Sequence, residues 1–166
     1  MDLMSIRRGM LIGQKDKNIA YEARNLSFNG VDKYIDTGVY LFTQENINRD
    51  FEFIAEGIAA NDSKASDTII CAKHNGNSYG FLVRIENKNK ITYSGTINIW
   101  PSPGSIVIRR INGVITMDGT NIINLGVRFT NAVFDWPLVL GCAINDNGEP
   151  FRYRKGTIDH VCVRWL

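Results

Sequence analysis

From Asn25 to the C-terminus, short apolar runs alternate with polar stops rich in Asn and Gly, at intervals of about 8 to 12 residues. Runs that short cannot complete the turns of an ordinary helix, and no stretch shows sustained helical periodicity. The residues that fill them suit the pleated strand. Ile and Val together number 31 against 22 for Leu, Ala and Met, and branched side chains pack well on a pleated surface. Asn (17) and Gly (15) supply the positive backbone angles that tight reversals need, while Pro (4) is scarce. The pattern specifies an all-β chain.

Two hairpins are the clearest elements. In SIVIRRINGVITMDG, Asn112-Gly113 separates arms over 105–111 and 114–118 and has the chemistry of a type I′ turn. In YGFLVRIENKNKITYSG, Phe81, Val83 and Ile85 fall on one face and Leu82, Arg84 and Glu86 on the other, with Asn87 to Lys90 reversing the chain. Further strands are expected at Asn25 to Phe28, Tyr34 to Asp36, Asp50 to Ala59, Thr68 to Lys73, Thr96 to Trp100, Ile122 to Gly126, Leu138 to Ile144 and Gly156 to Trp165. About a dozen strands overfill one open sheet, so the expected fold is a two-sheet antiparallel jelly-roll sandwich.

Charge narrows the function classes. The 166 residues carry 19 Lys and Arg against 17 Asp and Glu, a net charge of +2, and 44% are hydrophobic. No apolar run approaches the length of a membrane-spanning helix, and no basic stripe supports nucleic-acid binding by counterion release. Arg109 and Arg110 point to opposite faces of a strand, and Arg152, Arg154 and Lys155 make only a short cluster. Neither a membrane nor a nucleic acid is expected as a partner. The three cysteines, Cys71, Cys142 and Cys162, sit in apolar runs and read as buried reduced thiols, with Cys142 and Cys162 able to face one another on neighbouring strands. No Cys or His spacing suggests zinc.

Residues 1–24 lack strand alternation and read as an N-terminal arm ahead of a domain over 25–166. Arg7 and Arg8 precede Met10, Leu11 and Ile12, an apolar stretch too short for a signal peptide and followed at once by charge. These five residues are the candidate docking segment. The arm holds five basic and three acidic residues and so accounts for the whole +2.

The string NLSFNGVDKYIDTGVYLFTQENINRDFEF resembles the opening of laminin G-like, concanavalin A-like lectin and glucanase domains, in which a Phe-x-Gly strand end is followed by Tyr-Ile-Asp-Thr-Gly and an Asp-Phe-x-Phe core strand. NDNGEPFRYRKGTIDHVCVRW is similar to the family's last loop and final strand, which returns beside the first. The likeness spans about 25–166 and implies the concanavalin A-like version of the sandwich. Without the family, the same residues read as folding residues: Phe28 a core anchor, Asn29-Gly30 a reversal, and Asp36-Thr37-Gly38 a strand end closed by side-chain to backbone hydrogen bonds. A charged arm directly ahead of such a domain resembles small proteins of bacteriophages of gut bacteria, where these domains are displayed on virions.

Catalysis is not expected. Asp50, Glu52 and Glu56 share one strand face, but DFEFIAE lacks the central Asp of the glucanase pattern, and inward Phe51, Phe53 and Ala55 leave the carboxylates on the wet side. His74 lies in a polar turn, and His160 alternates within the last strand, where one satisfied nitrogen is expected. Asn145, Asp146, Asn147 and Glu149 form an oxygen-rich turn. A plain Asn-Gly turn is the first reading, and the calcium ion that the resemblance implies is the second, with no other cofactor or metal expected. Sugar binding combines an exposed ring with groups that grip hydroxyls, which makes Trp100, Tyr79 and Asn75 the candidate carbohydrate residues. Trp136 and Trp165 read as core.

The combined expectation is a non-enzymatic bacteriophage virion protein, assembled in the host cytoplasm, that displays a lectin-like domain. Its partners would be other virion structural proteins and surface glycans, and a homo-oligomer is compatible with that role. The alternative is a free carbohydrate-binding or adhesion module.

Overall fold

A computed structural model describes residues 18–59, 67–72, 82–86, 90–93, 96–97, 104–118, 123–124, 135–145 and 147–166. Its strands are β1 (Ile19–Asn29), β2 (Ile35–Asp36), β3 (Phe51–Glu56), β4 (Asp67–Cys71), β5 (Leu82–Glu86), β6 (Lys90–Tyr93), β7 (Thr96–Ile97), β8 (Ser105–Ile111), β9 (Val114–Asp118), β10 (Ile123–Asn124), β11 (Val139–Leu140), β12 (Ala143–Ile144), β13 (Pro150–Phe151) and β14 (Lys155–Trp165). One six-stranded sheet has the order β1-β14-β3-β8-β9-β10 and a second the order β2-β11-β4-β5-β6-β7; β12 and β13 form a small third sheet. Every described pairing is antiparallel. The chain is an all-β jelly-roll sandwich, as the spacing of its apolar runs requires.

The core lies between the two six-stranded sheets. Phe51, Phe53 and Ala55 of β3, Ile106 and Ile108 of β8, and Val161 and Val163 of β14 meet Ile70, Val83, Ile85 and Leu140 of the other sheet, all with no exposed surface. Each large side chain contributes about 2 kcal/mol by leaving water. A satellite cluster of Cys71, Val139, Cys142, Ala143 and Ile144 forms where the small sheet packs, with Trp136, Phe151 and Tyr153 against it.

Turns whose chemistry is local form where the sequence predicts them. Asn112 and Gly113 both take positive φ (50° and 78°) between β8 and β9, whose limits match the expected arms. Phe28 is a core residue, and the Asn29 side-chain oxygen accepts the N–H groups of Val31, Asp32 and Lys33, which builds the reversal. Asp36 Oδ1 accepts Gly38 N–H at 2.8 Å and Thr37 Oγ1 donates to the Leu138 carbonyl at 2.7 Å.

Four expectations change. Residues 19–24, counted with the arm, belong to β1, which pairs with β14 along its whole length; Arg7, Arg8, Met10, Leu11 and Ile12 lie outside the described residues. Asn25 (φ 56°) then explains the missing alternation: Tyr21 packs on the core before it and Leu26 after it, so the left-handed residue reverses which parity faces inward. The run 138–144 is two strands, because Gly141 (φ 83°) turns the chain between them. Cys142 joins Cys71 in the satellite cluster rather than facing Cys162, since it follows β11 in the sheet that contains β4, whereas Cys162 stands on β14 in the other sheet. Arg154, read from the sequence as one of a short basic cluster, is fully buried against Asp67.

Candidate functional site

Strand alternation sends one set of β14, β3 and β8 side chains into the core and the other to the outer face of the sheet. Register then sorts the outer set into rows. Arg164 lies opposite Glu52, which lies opposite Arg109. Two residues along, Cys162, Ile54 and Val107 form the next row, and two further on stand His160, Glu56 and Ser105. On β1, Glu22 pairs with Cys162 and Arg24 with His160.

The first row is an ionic arrangement centred on Glu52. Glu52 is 2% exposed, although its strand position is outward. Two cations cover it: Arg109 Nε donates to Oε2 at 2.5 Å, and Arg164 Nη2 lies 2.5 Å from Oε1. The Arg164 contact is ionic rather than an aligned hydrogen bond, because Oε1 has no hydrogen-bond donor among the described residues. Both guanidiniums keep 40% of their side-chain surface exposed. The result is a buried carboxylate with a half-exposed cation on each side. Glu52 stands on the outer strand face, as alternation predicts, but it is not wet, because β8 and β14 each bring an arginine over it.

The middle row is a shallow apolar strip, with Ile54 and Val107 half-buried and Cys162 buried. In the third row His160 uses both ring nitrogens, Nδ1 at 2.9 Å from Glu56 Oε2 and Nε2 at 3.0 Å from Glu22 Oε1, so the expected single partner becomes two. Glu22 also accepts from Arg24 at 3.2 Å. At the opposite end of the strands, Asp50 Oδ1 accepts the Asn112 N–H at 2.8 Å, between exposed Leu166 and Ile111.

The neighbouring Arg110 points inward, as alternation requires. Its buried guanidinium donates to the carbonyls of Leu41, Asn46 and Arg49 and stands over Phe51 at 4.9 Å, fastening the 41–49 turn region to the sandwich. It is structural, so only Arg109 of the pair serves the surface.

Trp100, Tyr79, Asn75 and His74 lie outside the described residues, as does Asp146 of the oxygen-rich turn. In that turn Asn145 Oδ1 accepts the N–H groups of Asn147 and Glu149, and Asn145 Nδ2 donates to Glu149 Oε2 at 3.0 Å, so these atoms are engaged in making the turn itself. Among the described residues no cluster of three or more His, Cys, Asp or Glu is arranged to hold a metal. Trp165 is half-buried under Arg49, 3.9 Å from the ring centroid, and Trp136 packs on the satellite cluster; both are peripheral to the core rather than central to it.

No family model and no curated protein sequence matches the chain. Solved structures do. The CBM40 of Ruminococcus gnavus IT-sialidase, bound to α2,3 sialyllactose, superposes with TM-score 0.61 at 11% identity, over 88% of this chain and 92% of that one. A leech intramolecular trans-sialidase gives TM-score 0.59 at 12% identity over 89% of this chain, and the K499G mutant of NanB sialidase from Streptococcus pneumoniae gives 0.57 at 12% over 90%. The chain spans only 26% and 27% of those two sialidases. At such identities the likeness establishes the shared sandwich fold.

Proposed function

We propose that this chain is a non-catalytic glycan-binding module that holds a carboxylate-bearing sugar on the outer face of the sheet containing β14. The observation that carries the reading is the Arg109–Glu52–Arg164 row. Two half-exposed guanidiniums flank one buried carboxylate, and the planar fork of an arginine suits a sugar carboxylate. Glu52 fixes where both forks stand, so little ordering remains to be done on binding. The strip of Ile54 and Val107 beside them offers the apolar contact that a sugar ring needs.

The same geometry argues against hydrolysis. A carboxylate clamped between two cations is a positioning group, not a free nucleophile. Of the other carboxylates on this strand line, Asp50 has its Oδ1 taken by the Asn112 N–H, and Glu56 lies four residues from Glu52, about 13 Å along the strand and beyond the separation of either glycosidase type. The likeness to a CBM40 crystallised with sialyllactose, whose terminal sugar is an acid, supports the ligand class. The virion role keeps only the arm sequence as support, and none of the neighbours reported above is a virion protein.

Calorimetric titration with 3′-sialyllactose and with lactose tests the reading. Binding of the acidic glycan alone, lost on Arg164→Ala while the circular dichroism spectrum stays that of a β protein, is the expected result. Equal binding of lactose, or an unaffected Arg164→Ala, would overturn it.

A further inference from the structure

Among the described strands, four stand at the edges of the two large sheets. β10, β2 and β7 have two residues each, whereas β1 has eleven. β1 gives one edge to β14, and no described residue pairs with the other, so its outward N–H and C=O groups are a template for a further strand. The side chains are open there as well. Tyr21 and Leu26 pack on the core yet stay half-buried, as does Ala23 between them, while Ala20, Glu22, Arg24, Asn25 and Ser27 are exposed. The register with β14 is regular from Tyr21 to Arg24; it shifts between Ile19 and Tyr21, and Asn25 is left-handed. The edge therefore offers a short regular stretch around Ala23.

We infer that this edge pairs with a second copy of the same chain, β1 antiparallel to β1, with Ala23 facing its own counterpart. Charge selects both the partner and the register. Glu22 and Arg24 stand on the outer face, two residues apart, and keep 40% and 66% of their side-chain surface. Turned about a two-fold axis at Ala23, Glu22 of each copy falls opposite Arg24 of the other, which forms two cross-strand ion pairs. A slip of two residues, the smallest that keeps outer face against outer face, sets either Glu22 or Arg24 opposite itself. Charges on a strand edge ordinarily deter addition; opposite signs at this spacing deter the wrong registers and admit this one. The same pairing brings Tyr21 of one copy diagonal to Ala23 of the other, covering apolar surface that β14 leaves open. The two-fold stands perpendicular to the sheet, so the outer faces of both copies point the same way. Resting on the reading of the Arg109–Glu52–Arg164 row as a glycan site, the dimer presents two such sites to one surface and binds a multivalent glycan more tightly than a single one.

Sedimentation velocity of the full chain over about 5–500 μM tests the pairing with no glycan present. A monomer–dimer equilibrium is expected, because the regular stretch is short. Glu22→Arg and Arg24→Glu, made singly, set like charges opposite one another at both symmetric positions, and each is expected to weaken dimerisation about tenfold or more. The double variant Glu22→Arg, Arg24→Glu exchanges the signs and is expected to return the dimer constant to within about threefold of the native value. Thermal melts check that each variant is folded, and Arg24→Glu, at the more exposed position, carries the single-reversal test if Glu22→Arg weakens the fold. A native chain that stays monomeric throughout, a dimer indifferent to the single reversals, or a loss that the exchange does not restore overturns the inference. The glycan reading fails separately, by calorimetry with sialyllactose and Arg164→Ala, whatever the state of association.

Discussion

The Arg154 guanidinium meets the Asp67 carboxylate at 3.2 Å with both side chains cut off from solvent, and its other arm donates to the carbonyls of Ala59 (2.7 Å) and Thr157 (3.1 Å). One cation thereby ties the start of β4, the end of the segment after β3 and the start of β14. Burial pushes the Asp67 carboxyl above the ordinary carboxylate range, with Arg154 pulling it back only in part.

That raised value gives the pair a pH signature. Because the folded carboxyl holds its proton more tightly than the unfolded one, the stability it contributes is complete below the ordinary carboxylate range and is lost as pH rises through the folded value. Asp67→Asn is expected to remove this slope from urea unfolding followed between about pH 4 and pH 7. It is also expected to cost about 3–5 kcal/mol at neutral pH, since Arg154 is left buried without its counter-charge. A variant that retains the slope would assign it to another group.

Gly141 is expected to tolerate no side chain. An added Cβ would lie 2.3 Å from the Phe28 ring, on a backbone at φ 83°. The ring is a core residue and cannot move without opening a gap. Gly141→Ala is expected to lower stability by about 2–5 kcal/mol in denaturant unfolding. A loss below about 1 kcal/mol would mean that β11 and β12 can separate at this turn.

Glu52→Gln tests the positioning role of the buried carboxylate. The amide keeps the volume but removes the charge that gathers Arg109 and Arg164, so affinity for sialyllactose is expected to fall about tenfold. Leaving two guanidiniums facing a neutral group is expected to cost about 1–3 kcal/mol of stability. Unchanged affinity in a folded variant would show that the arginines hold their places by other contacts.

Cys71 and Cys142 are pushed up to about 12 by burial, so neither forms the thiolate that reacts. Both thiols are expected to resist iodoacetamide at mildly alkaline pH in the native protein and to alkylate fully once unfolded, as read by intact mass. Rapid native labelling at either position would show that the small β12–β13 sheet opens.

Legibility in the sequence followed the range of the interaction that decides each feature. The β8–β9 hairpin, the Asn29 reversal and the inward order of Phe51, Phe53 and Ala55 depend on residues a few positions apart, and each is visible in the sequence. The carbohydrate candidates Trp100, Tyr79 and Asn75 followed from residue chemistry alone. The row of Arg109, Glu52 and Arg164 followed from nothing local: its members come from three strands, the first two 57 positions apart. The one available signal was that all three alternate outward, and that property is shared by most polar residues on these strands.

Alternation and turn chemistry, both carried by neighbouring residues, determined that this chain is an antiparallel sandwich and which face of each strand is dry. Strand order decided the rest. Placing β14 between β1 and β3, and β8 beyond β3, sets Arg164 and Arg109 on either side of Glu52 and puts His160 within reach of both Glu22 and Glu56. A period of two fixes the direction in which a side chain points, but which charge stands beside it depends on strands brought from far along the chain.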